Sequence, residues 1–167
     1  MSDFIKHSLL VERSLRKATI NTHRETEDRD WAAQIVYGIF KLNDKDDFEA
    51  EDIMTAVVGI KMELFTVNDA KKISKAASSA KVSEEEFKKL VAENILLDAE
   101  VVLDMSFSMT KKMKITDPFS PRNKKQLFSM AFDETRSIIQ GLLSKTYYSR
   151  FALPFDAREL LDNTVSK

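Results

Sequence analysis

A cluster of basic side chains in the second half of the sequence has the residue types and spacing to contact phosphate. Between residues 111 and 125, six cations accompany one acid, Asp117, so the local charge is +6 − 1 = +5. The six are Lys111, Lys112, Lys114, Arg122, Lys124 and Lys125. Cations at this density can neutralise backbone phosphates, which adds affinity but no sequence information. The run is a candidate phosphate-contacting site, with a solvated loop or a surface for an acidic protein as alternatives.

An excess of acids occupies residues 25–52, where ten acids and three cations sum to −10 + 3 = −7. From Asp44 onward, the segment superficially resembles a calcium-binding EF-hand loop. Such a loop needs an oxygen ligand at its fifth position, glycine at its sixth and glutamate at its twelfth. This sequence has Phe48, Glu49 and Thr55 there, so the ligand set fails. The pattern predicts a solvated acidic surface, with a basic protein partner as the alternative.

Other residues that could carry chemistry are sparse. The chain has no cysteine, which excludes disulfides, thiolate nucleophiles and cysteine-based metal sites. Its two histidines, His7 and His23, lack partner histidines at helical spacing, and its three glycines are too scattered for a phosphate-cradling loop. We therefore predict no cofactor, no metal ion and no catalytic residue. An enzyme with a carboxylate or lysine mechanism stays open, because 27 acids always offer pairs.

The sequence pattern predicts that these residues are positioned mainly by amphipathic helices. Stripes such as Trp31, Ile35 and Ile39 recur every four residues, as on one face of a helix. Capping boxes at Thr22–Glu25 and Ser83–Glu86 mark two helix starts. We predict helices near residues 3–20, 31–42, 49–64 and 68–79, after residue 83, from about 125 to 144, and after residue 156.

One segment departs from the helical pattern. Between Val101 and Met109, every second residue is apolar, and the residues between them are Val102, Asp104, Ser106 and Ser108; this alternation favours a strand. A helix stays open for this segment, because Val101, Met105 and Met109 also recur every four residues.

The segment 64–115 resembles a winged helix-turn-helix in outline. A short helix from Asn68 is followed by a turn, a capped second helix from Ser83 and the alternating segment. The resemblance implies that the alternating segment forms the wing, that Leu64–Val67 is its partner strand and that nucleic acid is bound. The alternative is two further helices of a bundle.

Together these patterns predict a mainly α fold: a single helical domain over residues 1–167 with about six or seven helices. A small two-stranded β element near residues 101–115, or a winged-helix-like centre, is compatible with that architecture. At 43% hydrophobic and 32% charged, with a net charge of −1, the chain has the composition of a globular domain. It lacks a membrane-spanning apolar stretch and a signal peptide, so we expect a cytoplasmic protein without a membrane partner.

The leading functional hypothesis is a non-enzymatic binding or regulatory protein that acts through protein–protein interaction. It rests on the missing catalytic and cofactor motifs. A nucleic-acid-associated regulator using segment 64–115 and the basic loop 111–125 is the alternative. A homo-oligomer also stays open, because the predicted helix over residues 127–143 carries two adjacent apolar stripes.

Overall fold

The fold is a layered α/β structure built on a long antiparallel sheet. The computed structural model describes residues 4–79, 81–116 and 119–153. The sheet has four strands in the order β1-β5-β4-β2. Its strands are β1 (Ser8–Thr22), β2 (Trp31–Lys41), β4 (Ile53–Thr66) and β5 (Leu97–Met109). A separate two-stranded ladder consists of β3 (Asp47–Phe48) and β6 (Met113–Lys114). The helices are α1 (Val67–Ala77), α2 (Glu84–Asn94) and α3 (Pro121–Leu143), and a 3-10 turn, Phe4–His7, precedes β1.

The hydrophobic core lies between one face of the sheet and α3. Alternate residues of β5, from Leu97 to Met109, are almost fully buried on this face. The α3 side chains that meet the sheet include Phe128, whose ring centroid lies 4.5 Å from that of Tyr37 on β2. Long strands with one face packed on a helix bury enough apolar area to fix the strand register, because a one-residue slip would expose every core side chain.

A smaller apolar cluster holds α1 and α2 at one end of the sheet. Its buried members are Phe65, Ile73 and Ile95. The α1 helix begins directly after β4, and the Thr66 hydroxyl caps it by accepting a hydrogen bond from the Asp69 amide. The α2 helix begins with a complete capping box between Ser83 and Glu86. These two helices close the end of the sheet that carries the β4–α1 junction.

The prediction of a mainly α, all-helical domain is wrong. Of the described residues, 39% lie in strands and 33% in helices. The three segments predicted as helices near residues 3–20, 31–42 and 49–64 instead lie largely in β1, β2 and β4. At the predicted helix start, Thr22 is instead the last residue of β1 and Glu25 lies in the loop between β1 and β2.

The error has a physical cause in the spacing of apolar residues. Positions i and i+4 share a face both in a helix, with period 3.6, and in a strand, with period 2. Trp31, Ile35 and Ile39 therefore point to the core from β2 as they would from a helix. In β1, the register shifts between Leu10 and Glu12, and again between Leu15 and Lys17, so the simple alternation of a strand is interrupted.

The prediction of a winged-helix-like centre is also wrong. The alternating segment forms β5, which pairs with both β1 and β4 and so is an interior strand of the sheet, not the wing of a small hairpin. Its β4 partner is fourteen residues long, far more than the short strand predicted at Leu64–Val67. The strand prediction for residues 101–109 is itself confirmed, as are the helices after Thr66 and Ser83 and the long helix ending near Ser144. The helix predicted after residue 156 lies outside the described residues.

Candidate functional site

The face of the sheet opposite α3, here called the outer face, carries the candidate site. It presents alternate residues of each strand, including Gln34, Val36 and Phe40 from β2. Along β5 the outer-face residues are half-buried, whereas the core-face residues are almost fully buried. The outer face is thus the side of the sheet on which side chains remain accessible.

A groove of about 480 Å³ lies where the outer face meets α2. This α2 groove has an apolar lining from both elements, with Val36 on β2 and Phe87 and Val91 on α2. Ile95, just after α2, is also part of the lining and is itself buried. The groove has a mixed lining: five of its eleven residues are apolar, and the other six are polar or charged.

The polar rim of the α2 groove is already organised by hydrogen bonds. The Asp98 carboxylate faces His23 Nε2 at 2.5 Å and accepts a hydrogen bond from Asn21 Nδ2 at 3.1 Å. Lys61 donates to Glu63 at 2.7 Å, and this bond raises the pKa of Lys61 above its usual value despite the opposing effect of partial burial. Because these charges have partners within the chain, the groove presents a largely neutralised rim to a bound molecule.

An apolar strip continues from the groove along the outer face. This strip, here called the β2 strip, consists of Val36 and Phe40 on β2, Leu42 just after it and Ile53 at the start of β4, each 46–48% exposed. Val36 and Phe40 lie on β2 four residues apart, and Leu42 follows the end of that strand. The Leu42 amide donates to the Thr55 carbonyl, which keeps Leu42 beside the start of β4. Several exposed apolar side chains grouped on one face are more typical of interaction sites than of an ordinary protein surface.

The acidic segment 25–52 is divided between the two ends of β2. The loop before the strand, residues 25–30, has a charge of −4 + 1 = −3, and the loop after it, residues 42–52, has −6 + 1 = −5. Within the second loop, Lys45 donates to the Asp52 carboxylate at 2.6 Å, and together with the Glu49 amide it lowers the pKa of Asp52. The β2 strip is therefore bordered by negative charge at both ends.

The predicted phosphate-contacting cations lie on three different elements. Lys111 and Lys112 occupy the turn after β5, Lys114 lies on β6, and the other three are in the first turns of α3. Lys112 donates to Glu49 at 2.5 Å, and Lys114 is the ladder partner of Asp47. The structure thus brings part of the basic run against the acidic segment. A phosphate site formed by these six residues stays a prediction.

Phe119, which sits among these cations in sequence, is not available as a surface aromatic. It is 3% exposed and stacks on Phe4 with ring centroids 5.5 Å apart.

Among the described residues, no group of three His, Asp or Glu side chains is arranged to hold a metal ion. No helix in the described part of the chain is long and apolar enough to cross a membrane.

A second cavity, of about 570 Å³, lies near the start of β2 and the end of the described chain. Its lining includes Trp31, Tyr147 and the guanidinium side chains of Arg29 and Arg150. Beside it, the buried Tyr148 packs edge-on against Trp31 at 5.0 Å and donates to the Arg24 carbonyl. Burial raises the pKa of the Tyr148 hydroxyl, so it remains a protonated donor that ties the segment after α3 to the β1–β2 loop.

Comparison with known proteins finds a similar fold but does not identify a family. No protein-family model matches the sequence, and no curated protein matches it. Among solved structures, the chain is similar to the Mycobacterium tuberculosis SecB-like chaperone Rv1957, solved in complex with a ChAD peptide from the Rv1956 HigA1 antitoxin. The superposition has a TM-score of 0.50 and 6% identity, and it covers 90% of this chain and 91% of the other. The likeness is one of fold alone.

Sequence reasoning missed the outer face because it assigned β2 and β4 to helices. In a helix, Val36 and Phe40 would belong to a side stripe, whereas in a strand they share a face with Gln34 and Gly38. A signal was present: six of the eleven β2 residues are β-branched or aromatic. That enrichment is typical of strands and weighs against a helix of the same length.

Proposed function

We propose that this chain binds extended apolar segments of other proteins along the outer face of its sheet. The observation that carries the proposal is the row of exposed apolar side chains that leads from the α2 groove along the β2 strip. Between Val36 and Leu42 this path follows β2 for six residues, or about 20 Å at 3.3 Å per residue. That length suits an extended peptide better than a compact small molecule.

The charge distribution supports a particular kind of bound segment. The path is apolar in its middle, and acids outnumber cations in the loops at its two ends, with −3 in residues 25–30 and −5 in residues 42–52. Lys41 and Lys112, from outside the second loop, pair with its Asp46 and Glu49 and reduce the negative charge there without removing it. An apolar segment with lysine or arginine on both sides would match this arrangement, whereas an acidic one would be repelled. The effect is a surface one, so it should weaken as salt is raised.

The structural neighbour supports the same class of function. The SecB-like chaperone Rv1957 was solved with a peptide from an antitoxin bound to it. Because a protein of this fold binds a peptide, we expect the present chain to bind protein partners as well. The regulatory role, and the identity of any partner, remain part of the proposal.

The direct test is a fluorescence-anisotropy titration with two labelled peptides of about 13 residues, long enough at about 3.3 Å per residue to pass both ends of the path. Both have the same core of alternating valine and threonine around one phenylalanine. One peptide has two lysines at each end, and the other has two glutamates. We expect the lysine-flanked peptide to bind more tightly, and the difference to shrink as salt is raised.

The matched control exchanges the apolar core for serine and glycine while keeping the lysines. Loss of binding for that peptide would show that the apolar core is required and that charge alone is insufficient. If neither apolar peptide binds at micromolar concentration, or if the serine–glycine peptide binds equally well, the proposed function is wrong.

A further inference from the structure

Two glycines lie directly opposite each other in the middle of the outer face. Gly38 of β2 pairs with Gly59 of β4, and Gly59 pairs in turn with Val102 of β5. The residue pairs before and after this one on the outer face carry side chains, so the glycine pair leaves a gap between them. We call this gap the glycine notch.

Nothing in the fold of the sheet requires glycine at these two positions. Neither residue has a positive φ angle. A Cβ added at Gly38 would meet no atom within 4 Å, and one added at Gly59 would have its nearest contacts at 3.9 Å, an ordinary van der Waals distance. Glycine weakens a strand interior through backbone entropy and lost packing, so an unforced pair suggests that something approaches the backbone closely.

The notch has walls made by the neighbouring rows of the sheet. On one side Val36 lies opposite Lys61, and on the other Phe40 lies opposite Val57. Rows on one face are about 6.6 Å apart, two residues at 3.3 Å each, so these walls are separated by about 13 Å. The half-buried Val102 closes the inner end. The floor is bare peptide backbone, and the notch interrupts the apolar path between the α2 groove and Phe40.

We infer that the glycine notch receives an aromatic side chain of the bound segment. The inference deepens the proposed function and rests on it, because it identifies where the extended apolar segment is anchored. A flat ring can stack on the backbone of paired glycines while its edge contacts Val36 and Phe40, the kind of packing by which aromatic residues cover glycine in sheets. The acidic loops at the two ends of β2 favour an apolar segment with basic flanks as the occupant.

The test is a double-mutant cycle between the protein and the lysine-flanked peptide. The protein variants are Gly38→Val and Gly59→Val, and the second peptide has alanine in place of its phenylalanine. We expect the alanine peptide to bind the parent chain about tenfold more weakly, as is common when a hydrophobic pocket loses a large group. We expect the two peptides to bind each valine variant with nearly equal affinity, because the notch is filled.

Folding is monitored on the same samples by circular dichroism and thermal unfolding. Valine has a higher strand propensity than glycine, so the melting temperature should be unchanged or higher. Ser14→Val, an outer-face substitution on β1, is the matched control and should leave binding of both peptides unchanged. If a valine variant fails to fold, Gly38→Ala and Gly59→Ala repeat the cycle with a smaller group.

The possible failures are distinguishable. If the parent chain binds the phenylalanine peptide and the glycine variants discriminate between the peptides as well as the parent does, the notch is not the aromatic site, while the proposed function stands. If the valine variants weaken both peptides equally, the notch inference is also wrong. If the parent binds no apolar peptide, the proposed function and this inference fall together.

Discussion

The ammonium group of Lys41 lies 2.9 Å from the carbonyl oxygen of Ile115. Lys41 also donates to the Lys45 carbonyl at 2.9 Å and to the Asp46 carboxylate, and its side chain is 3% exposed. A single buried cation therefore joins the end of β2, the loop that follows it and the segment after β6. This contact positions the acidic loop at one end of the proposed binding path.

Replacing Lys41 with methionine should destabilise the protein. The variant keeps most of the buried apolar stem but leaves the carbonyls of Lys45 and Ile115 without this donor. We expect the free energy of unfolding in urea to fall by about 1–3 kcal/mol, the range for buried groups that lose charged hydrogen-bond partners. Lys45→Met removes a half-exposed cation paired with Asp52 and should change it by less than about 1 kcal/mol. Equal effects of the two substitutions would contradict the structural role of Lys41.

The Asp69 carboxylate should make stability depend on pH at the β4–α1 junction. Burial raises the pKa of Asp69, but hydrogen bonds from Lys72 and Thr66, with the charges of Lys72 and Arg24, outweigh it and lower the pKa below the ordinary value of 3.8. A lowered folded-state pKa means that ionised Asp69 stabilises the fold above about pH 3.8, and that this stabilisation is lost as pH falls further.

The measurement for Asp69 compares the parent with Asp69→Asn by chemical denaturation across pH. At pH 7 we expect the variant to be less stable by about 1–2 kcal/mol, since Arg24 and Lys72 lose a charged acceptor. The difference should stay level down to about pH 4 and narrow below the ordinary pKa of 3.8. A difference that widens under acid would mean that Asp69 does not stabilise the fold as an ionised group.

Phe40 should contribute to peptide binding and little to stability. It lies on the outer face, is 46% exposed and forms one wall of the glycine notch. We expect Phe40→Ser to weaken binding of the lysine-flanked peptide about tenfold or more, in the range of aromatic anchors at interfaces. Leu15→Ser on β1, where the parent side chain is 51% exposed, is the control and should bind as the parent does. Equal losses in both variants would argue for nonspecific adhesion.

The predicted phosphate site can be tested through the ion pair that competes with it. If the basic run binds nucleic acid, replacing Lys111, Lys112, Lys124 and Lys125 with glutamine should lower the slope of log affinity on log salt. The decrease should be about 0.7–0.9 for each phosphate that is no longer neutralised. Glu49→Gln should strengthen binding, because it releases Lys112 from its partner. The readout is an oligonucleotide titration at several salt concentrations. An unchanged slope in the quadruple variant would remove these cations as phosphate ligands.

Local signals predicted the elements whose ends are marked by specific side chains. Ser83 and Glu86 form the capping box that begins α2. The apolar stripes of α3 predicted that helix, but its start was placed near residue 125, whereas it begins at Pro121, where a missing amide costs nothing. The strict alternation from Val101 to Met109 predicted most of β5. Each of these signals is an interaction between neighbours in sequence or a local periodicity, which in β5 is an alternation that favours a strand over a helix.

What the sequence by itself determined is therefore the existence of α1, α2, β5 and α3, together with the scarcity of catalytic motifs. The tertiary structure decided that β1, β2 and β4 are strands, because the spacing of Trp31, Ile35 and Ile39 satisfies a helix and a strand equally and only pairing with neighbouring strands distinguishes them. It also decided which side of β2 faces solvent, and hence that Val36, Gly38 and Phe40 share a surface. Those relations depend on register across strands far apart in the chain, which no local pattern encodes.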